Sequence, residues 1–467
     1  MTRHFLACAL ASFAAMAAGC AGLGVKYPPT PPELPAQWSA LPPPPAATAP
    51  DLHGWWKAFG DPALDAVVER ALKDNLDVAQ AVERLQAARG LDHHSGDRFL
   101  PSLKGKTDDL FDPDASASFF VAGFDSVWEF GFFGRATGAE RAARGQLQSS
   151  VAEVKAARVT VIAEVVRNWV EMRAAQQRVR LLTDLRDERA RRVDLVETRA
   201  KLRMASPVDV AKAHGELARA ESALMDPKQA YDTASRQLAV LLGMNAPDAA
   251  WETVADVPQL GDWKLDGAPA ELLRTRPEIA KAEADVVRAA GELGLARAEM
   301  YPSIGLGASM IWSTNIVSYR RTHTHGIASV GPVLDIPLFD WGMRAAAAHA
   351  SRHQFQATVL AYRQSVLQGV AEVQTALDNL QAQRERERHS LDAWQASTVA
   401  DNAMATRTRL KLASELDRAD TRVAVAEAGV DMVDARATRD LAYVALFKAL
   451  GGAPVVADED SDAEAAR

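Results

Sequence analysis

The chain has 467 residues, 48% of them hydrophobic but only 6% aromatic, and 24% charged. With alanine abundant, that balance suits long packed helices and not a sheet-rich globule. A net charge of −8 argues against nucleic acid as a partner, because phosphate binding needs a basic surplus and here Lys and Arg are interleaved with Asp and Glu.

The first residues, "MTRHFLACALASFAAMAAGC", carry Arg3 and His4, then an apolar run from Phe5 to Met16, then small residues. Residues 1–19 read as a secretory signal peptide. Cleavage before Cys20 would leave one thiol at the new N-terminus, the arrangement of a bacterial lipoprotein, so Cys20 is the expected lipidation site. Position 17 is Ala where a lipobox usually has Leu, and an ordinary secreted protein with a stray Cys is the alternative. Cys8 and Cys20 are the two cysteines of the chain, so the mature protein has no disulfide framework. Residues 20–50 form a Pro-rich linker, with "KYPPTPPELPAQWSALPPPPAATAP" expected as an extended polyproline-like strap. No later stretch has the apolar length of a transmembrane helix, so a membrane crossing requires a β-barrel.

Folded sequence begins near "DLHGWWKAFGDPALDAVVERAL", where Asp61 is a candidate N-cap and Pro62 takes the first helical position. The chain then repeats itself. "LPSL" at 100 answers "YPSI" at 301, "WEFGFF" at 128 answers "LDIPLF" at 334, "SPVD" at 206 answers "SELD" at 414, and "LAVLLG" answers "LFKALG". The offsets rise from about 201 to about 208, as a tandem duplication with one longer loop would give. The expected copies are residues 51–255 and 256–452, each running short helix, hairpin, long helix, turn, long helix. The end, 453–467, is an acidic tail expected to be disordered.

In "YPSIGLGASMIW" the positions Ile304, Leu306, Ala308, Met310 and Trp312 are apolar and alternate with Ser and Gly. The return strand puts Ala328, Val330, Leu334, Ile336 and Leu338 on one face. Such alternation suits a strand facing lipid on one side and water on the other, although a half-buried soluble sheet would look the same. In the first copy Phe120, Ala122, Phe124, Trp128 and Phe130 alternate well, but "LPSLKGKTDDLF" does not. Lys104 and Lys106 put a full membrane-spanning strand in doubt there.

From Val151 a heptad count places Val151, Val154, Val161, Val165, Met172, Ala175, Val179, Leu182, Val193 and Val196 on one seam, a sustained left-handed coiled-coil pattern. A helix from about Ala139 to Met204 would be on the order of 100 Å long. The second copy repeats it from Met343 to about Ala413, with Gly369 as a soft point, and Pro227 predicts a kink in the first copy's return helix. Four strands cannot close a barrel, so closure requires oligomerisation; three copies would supply twelve strands and twelve helices.

"WWKAFGDPALDAVVERAL", "FVAGFDSVWEFGFFGR", "AEVVRNWVEMRAAQQR", "GPVLDIPLFDWG" and "YRQSVLQGVAEVQTALDNL" together resemble the outer membrane factor family, the TolC-like channels of efflux pumps, and its NodT-type lipoprotein branch. The resemblance runs from about Trp55 to Gly451. It implies a homotrimer with a 12-stranded β-barrel on a 12-helix α-barrel, working with a periplasmic adaptor and an inner-membrane transporter of the RND type. It also implies that Trp128, Phe133, Gly134, Arg135, Pro337, Phe339 and Gly342 form the junctions where barrel strand becomes periplasmic helix. The family's helix-turn-helix tips, which gate the pore and meet the adaptor, correspond to Arg203, Met204, Ala205, Ser206 and Asp209, and to Lys411, Leu412, Ala413, Ser414 and Asp417. Similar members often carry Gly where Arg203 and Lys411 stand.

Asp209 and Asp417 are candidates for carboxylate rings at the tip, or simple capping acids of the return helices. "RDERARRVD" at 186–194 reads as a solvated face. His323 with His325, and His93 with His94, lack the further ligands of a metal site. "GLGAS" lies on a strand with no helix behind it, and no nucleophile and base stand at a recognisable spacing, so neither cofactor nor enzymatic activity is expected. The function this supports is a passive outer-membrane exit channel for small toxic compounds. The alternatives are a type I protein secretion duct and a poreless periplasmic coiled-coil scaffold.

Overall fold

The computed structural model describes residues 52–110, 119–260, 275–315 and 324–454. Cys20, the Pro-rich strap, His323 and residues 455–467 of the acidic tail lie outside them. After a 3-10 turn at Trp55–Phe59 come α1 (Pro62–Asp74), α2 (Leu76–His93), β1 (Ser102–Leu110), β2 (Phe119–Glu129), α3 (Arg135–Lys201), α4 (Pro207–Ala223) and α5 (Met225–Leu241). The second half continues with α6 (Pro277–Ala298), β3 (Ser303–Asn315), β4 (Thr324–Asp335), α7 (Met343–Arg409) and α8 (Glu415–Ala449). The chain forms two compact units that cut across the repeats. One gathers Glu83–Ala152 and Glu278–Val366, and the other holds the remaining described residues.

In the first unit the four strands make one antiparallel sheet in the order β1-β2-β3-β4, so a strand of one copy joins a strand of the other at its centre. The register places Phe124 opposite Met310, Trp128 opposite Leu306, and Ala308 opposite Val330. The apolar residues of three strands thereby share one face. On β1 that face takes Leu103, Gly105 and Thr107, because Gly105 pairs with Phe124 and Leu103 with Ser126. Lys104 and Lys106 therefore stand on the polar face, with Lys104 directly opposite Asp125. The register thus takes the two lysines off the apolar face, which only the cross-strand pairing could reveal, but Leu103 is the one apolar side chain among Leu103, Gly105 and Thr107, so β1 has no apolar alternation of its own. β1 is shorter than its neighbours, at 9 residues against 11 to 13.

The same unit contains a close helix crossing. A Cβ added at Gly145 on α3 would lie 2.4 Å from Arg288 N on α6, and one at Gly291 would lie 2.4 Å from Ala142 N. Small residues here let two backbones touch.

In the second unit the heptad seam of α3 is buried at Val154, Val161, Val165, Met172, Ala175, Val193 and Val196. Between Val159 and Gln177 burial extends nearly all round the helix, because α1, α5 and α8 join the same core through Leu64, Leu238, Tyr443 and Phe447. Asp61 caps α1 as expected, accepting from Ala63 N at 2.9 Å, and its other carboxylate oxygen accepts from Trp169 Nε1 at 2.9 Å. Trp55 stacks on Phe447 at 5.5 Å, and Tyr443 Oη donates to Trp55 O at 3.1 Å, so the start of the folded chain is clasped to its last helix. Burial pushes the Tyr443 hydroxyl pKa up.

The return helix of the first copy breaks at Leu224, between α4 and α5, three residues before Pro227. Its counterpart α8 runs unbroken for 35 residues. Proline lacks the N–H that would bond to Ala223 O, and that difference accounts for the break. Gly369 does not interrupt α7, and its carbonyl accepts from Arg276 Nη1 at 3.3 Å.

Candidate functional site

The two ends of the long helices carry the residues of interest, and each end occurs twice. Where β2 passes into α3, Phe133 has φ 58° and Gly134 φ 86°. Where β4 passes into α7, Trp341 has φ 56° and Gly342 φ 81°. The abrupt change from strand to helix is thus made by two consecutive left-handed residues, the first of them aromatic in both copies. These equivalences correct the alignment of "WEFGFF" with "LDIPLF" by two residues. A slip of two preserves the alternation of a strand, so pattern alone cannot detect it.

The first junction is packed. Trp128 Nε1 donates to Phe99 O at 2.9 Å, and Phe133 stacks on Tyr301 with ring centroids 5.2 Å apart. Arg135 Nη2 reaches the carbonyls of Ala298 and Tyr301 at 3.4 and 3.5 Å, so its charge sits at the C-terminus of α6, where helix carbonyls favour a cation. The second junction is open: Phe339 touches Trp341, and both are largely exposed, at 75% and 89%. Pro337 precedes them, and Asp340 starts α7 by accepting from Gly342 N and Arg344 N, each at 3.0 Å. Asp340 and Tyr301 were missed by the sequence reading. Asp340 had a signal, an acid three residues before the helix; Tyr301 had none.

At the other end α3 and α7 stop in the same way. Arg203 (φ 58°) and Lys411 (φ 59°) occupy left-handed positions. Met204 N donates to Arg199 O at 2.7 Å, and Leu412 N to Arg407 O at 2.8 Å, as in a Schellman turn. Glycine is the unstrained residue there, and a side chain at such a position costs about 1 kcal/mol. Ser206 then caps α4 and Ser414 caps α8 in matching boxes. Asp209 Oδ2 accepts from Ser206 N at 2.9 Å and from its hydroxyl at 2.8 Å, and Asp417 does the same with Ser414. The backbone and hydroxyl of each serine hold these two carboxylates below their usual range. Capping geometry therefore accounts for Asp209 and Asp417 within one chain.

The two turns lie side by side. Ala205 and Leu416 pack on one small cluster of Val193, Val196 and Ala213, and Arg199 acts on both Asp209 and Asp417. Met204 and Leu412 remain about two-thirds exposed, at 64% and 67%, with Leu202, Val208 and Leu410 beside them. Above the turns the segment 186–194 is a solvated face only in part: Asp187, Arg191 and Asp194 are exposed, and the other charged residues are paired. Arg189 pairs with Glu216 (2.7 Å) and Glu427 (3.0 Å), Arg192 with Glu216 (3.2 Å) and Asp420 (3.0 Å), and Arg422 with Glu188 (2.9 Å). Glu188, Arg189 and Glu216 are mostly buried, so this ladder ties α3 to α4 and α8 where apolar contacts are few. Of the histidines, His94 bonds Asp97, an acid three residues further on.

A sheet with an apolar face, whose return strands turn directly into long helices ending in capped hairpin tips, is the build of a membrane-channel protein. The sequence profile of the outer membrane efflux protein family matches residues 67–244 and 268–452. The pyoverdine export outer membrane protein OpmQ of Pseudomonas aeruginosa is 28% identical, over 90% of this chain and 91% of its own. Nodulation protein T of Rhizobium leguminosarum bv. viciae is 28% identical, over 70% of this chain and 69% of its own. The solved outer-membrane channel OprN superposes with a TM-score of 0.78 at 25% identity, covering 92% of this chain and 98% of that one. The chain belongs to the outer membrane efflux protein family. It is an outer-membrane exit channel of a tripartite efflux system, located in the outer membrane and extending into the periplasm.

Proposed function

We propose that three copies assemble into a passive duct, closing a 12-stranded barrel through their free sheet edges and lining a periplasmic passage with their long helices. The observation that carries this is the sheet: one apolar face running across β2, β3 and β4 and continued on β1 by Leu103, Gly105 and Thr107, with β1 and β4 left as edges. Four is too few strands to close, and an even total keeps every neighbour antiparallel. Lys104 and Lys106 stand on the polar face of β1, which supports the barrel over a poreless scaffold.

The duct is anchored by acylated Cys20 and passes small toxic compounds handed over by a periplasmic adaptor and an RND-type inner-membrane transporter. It contributes no chemistry of its own. The paired tips, with their exposed Met204 and Leu412, are the surface that meets the adaptor, and the same turns gate the passage. Deleting the gene should lower the tolerated concentration of several unrelated toxic compounds, and the wild-type copy should restore it. Unchanged tolerance across the panel, with loss of a secreted protein instead, would favour the protein-secretion alternative.

A further inference from the structure

The two return helices cover the same length of chain by different means. Ser206 caps the first and Ser414 the second, and the left-handed Gly243 and Gly451 follow them at equal separations. No residue is inserted in either copy, so Pro227 stands where the second copy has Ala435, and Leu224 where it has Met432.

The packing divides where the first helix breaks. From α5, Ala234, Leu238 and Ala239 belong to the main core, with Tyr231 and Leu241 against it. No described residue of α4 belongs to that core: Val210, Ala213 and Leu217 sit instead in the small cluster beside the tip, with Val193 and Val196 of α3. In the second copy α8 spans both regions without a break, from Leu416 in the tip cluster, through Val423 and Ala426, to Val433, Ala437 and Phe447 in the core. One rod in the second copy thus does what two pieces do in the first.

At the boundary Leu224 keeps right-handed angles, φ −71° and ψ −18°, and its N–H reaches Glu221 O at 3.4 Å. Pro227 has no N–H to give Ala223 O, and its ring crowds that carbonyl. A helix bends more readily at such a missing rung than elsewhere along its length. Below the boundary, Glu216 of α4 bonds two arginines of α3, Arg189 at 2.7 Å and Arg192 at 3.2 Å. Each arginine also has a partner on α8, Glu427 for Arg189 and Asp420 for Arg192, both at 3.0 Å. Neither is therefore left as an unpaired charge when Glu216 lets go, which would otherwise be the main cost of release.

We propose that α4 is a hinged segment that turns as a unit about Leu224 and carries the first tip with it, while α5 and α8 stay seated, and that Glu216 is the catch that holds it on α3. The first tip thereby has a freedom that the second, at the end of an unbroken helix, lacks. That this freedom serves the meeting with an adaptor rests on the role proposed for the tips; the hinge itself does not.

Hydrogen–deuterium exchange of the purified full-length protein in detergent, read by mass spectrometry, tests it. Circular dichroism and light scattering first establish that each variant is folded and has the wild-type mass. In the wild type the exchange rate should step down at Leu224, between residues 211–223 and 229–241, with no such step at Met432 in α8. Glu216→Gln should speed exchange in α4 by about tenfold or more, the equivalent of one lost charge-assisted hydrogen bond, and its effect should end at Leu224. Pro227→Ala, which installs the second copy's residue, should abolish the step. It should also cut the effect of Glu216→Gln to about threefold or less, because a continuous helix ties α4 to the seated α5. A merely weakened helix would respond to Glu216→Gln equally in both backgrounds, and that result overturns the hinge. So does a Glu216→Gln effect that runs through α5 with Pro227 in place, a reading that decides the matter even where Pro227→Ala does not fold. Either contrary result leaves the duct standing.

Discussion

Gly291→Val should leave little properly folded protein, and what is recovered should melt well below the wild type. The Cβ it adds would stand 2.4 Å from Ala142 N and 2.7 Å from Gly138 O, and both are backbone atoms that cannot rotate away. The helices α3 and α6 must separate, which also opens the contact at Gly145, whose own Cβ would meet Arg288 N at 2.4 Å. Overpacking of a core costs about 1–3 kcal/mol even where side chains can adjust, and here the loss should reach ~3 kcal/mol or more. Gly90→Ala in α2 is the control: nothing lies within 4 Å of the new Cβ, and a gain of about 0.5–1 kcal/mol is expected. Thermal midpoints of the two purified variants decide it. Equal stability of Gly291→Val and wild type would mean that the helices do not cross this closely.

The second large effect concerns Asp440 on α8, which is fully buried and whose carboxyl is pushed up to about 7. Burial is the main cause, and Glu387 on α7 adds to it, while Arg439 and Arg436 on α8 pull the other way. Arg439 Nη2 lies 2.8 Å from Asp440 Oδ1, but it also shares Glu387 with Arg436, so its charge is divided. The unfolded carboxyl releases its proton near 3.8, the folded one near 7. Between those values the folded chain holds the extra proton, and stability falls by about 1.4 kcal/mol for each unit that the pH rises. Above the window the penalty is complete, and below it there is none. Asp440→Asn, isosteric and neutral, should therefore stabilise the protein at pH 8, change little at pH 4, and flatten the slope of melting temperature between them. A variant that is destabilised equally at both pH values would show that the carboxylate is stabilised by Arg439 and not penalised by burial.

Much of this was legible in the residues, and the parts that were not share a physical reason. Period reads which residues share a face within one element, so the heptad seam of α3, the Asp61 cap and the alternation of β2, β3 and β4 could be read directly. Period does not fix phase between elements. That is why Lys104 and Lys106 looked like an obstacle until the pairing with Asp125 and Gly123 put them on the polar face. It is also why the second junction slipped by two residues, since a strand looks the same after such a shift. The ladder of Glu188, Arg189 and Arg192 looked like a solvated face because mixed charges on one helix give no sign of the opposing charges on α4 and α8. The strain at Arg203 and Lys411 was only half visible. Their departure from glycine could be read, but the left-handed backbone that makes the departure costly could not.

The duplication extends from pattern to geometry. The left-handed pairs at the junctions, the left-handed residue before each tip, the serine capping boxes and the glycines 243 and 451 with φ 67° and 75° all recur between the copies. Differences between copies then carry information. Pro227 breaks one return helix where α8 is continuous, and Phe133 is covered by Tyr301 where Trp341 is open.

The most direct test of the account is the mass of the protein extracted from outer membranes in detergent, measured by light scattering with the detergent contribution subtracted. The account predicts three mature chains, extracted only when detergent is present. A monomer or dimer, or release from the membrane by salt alone, would contradict it.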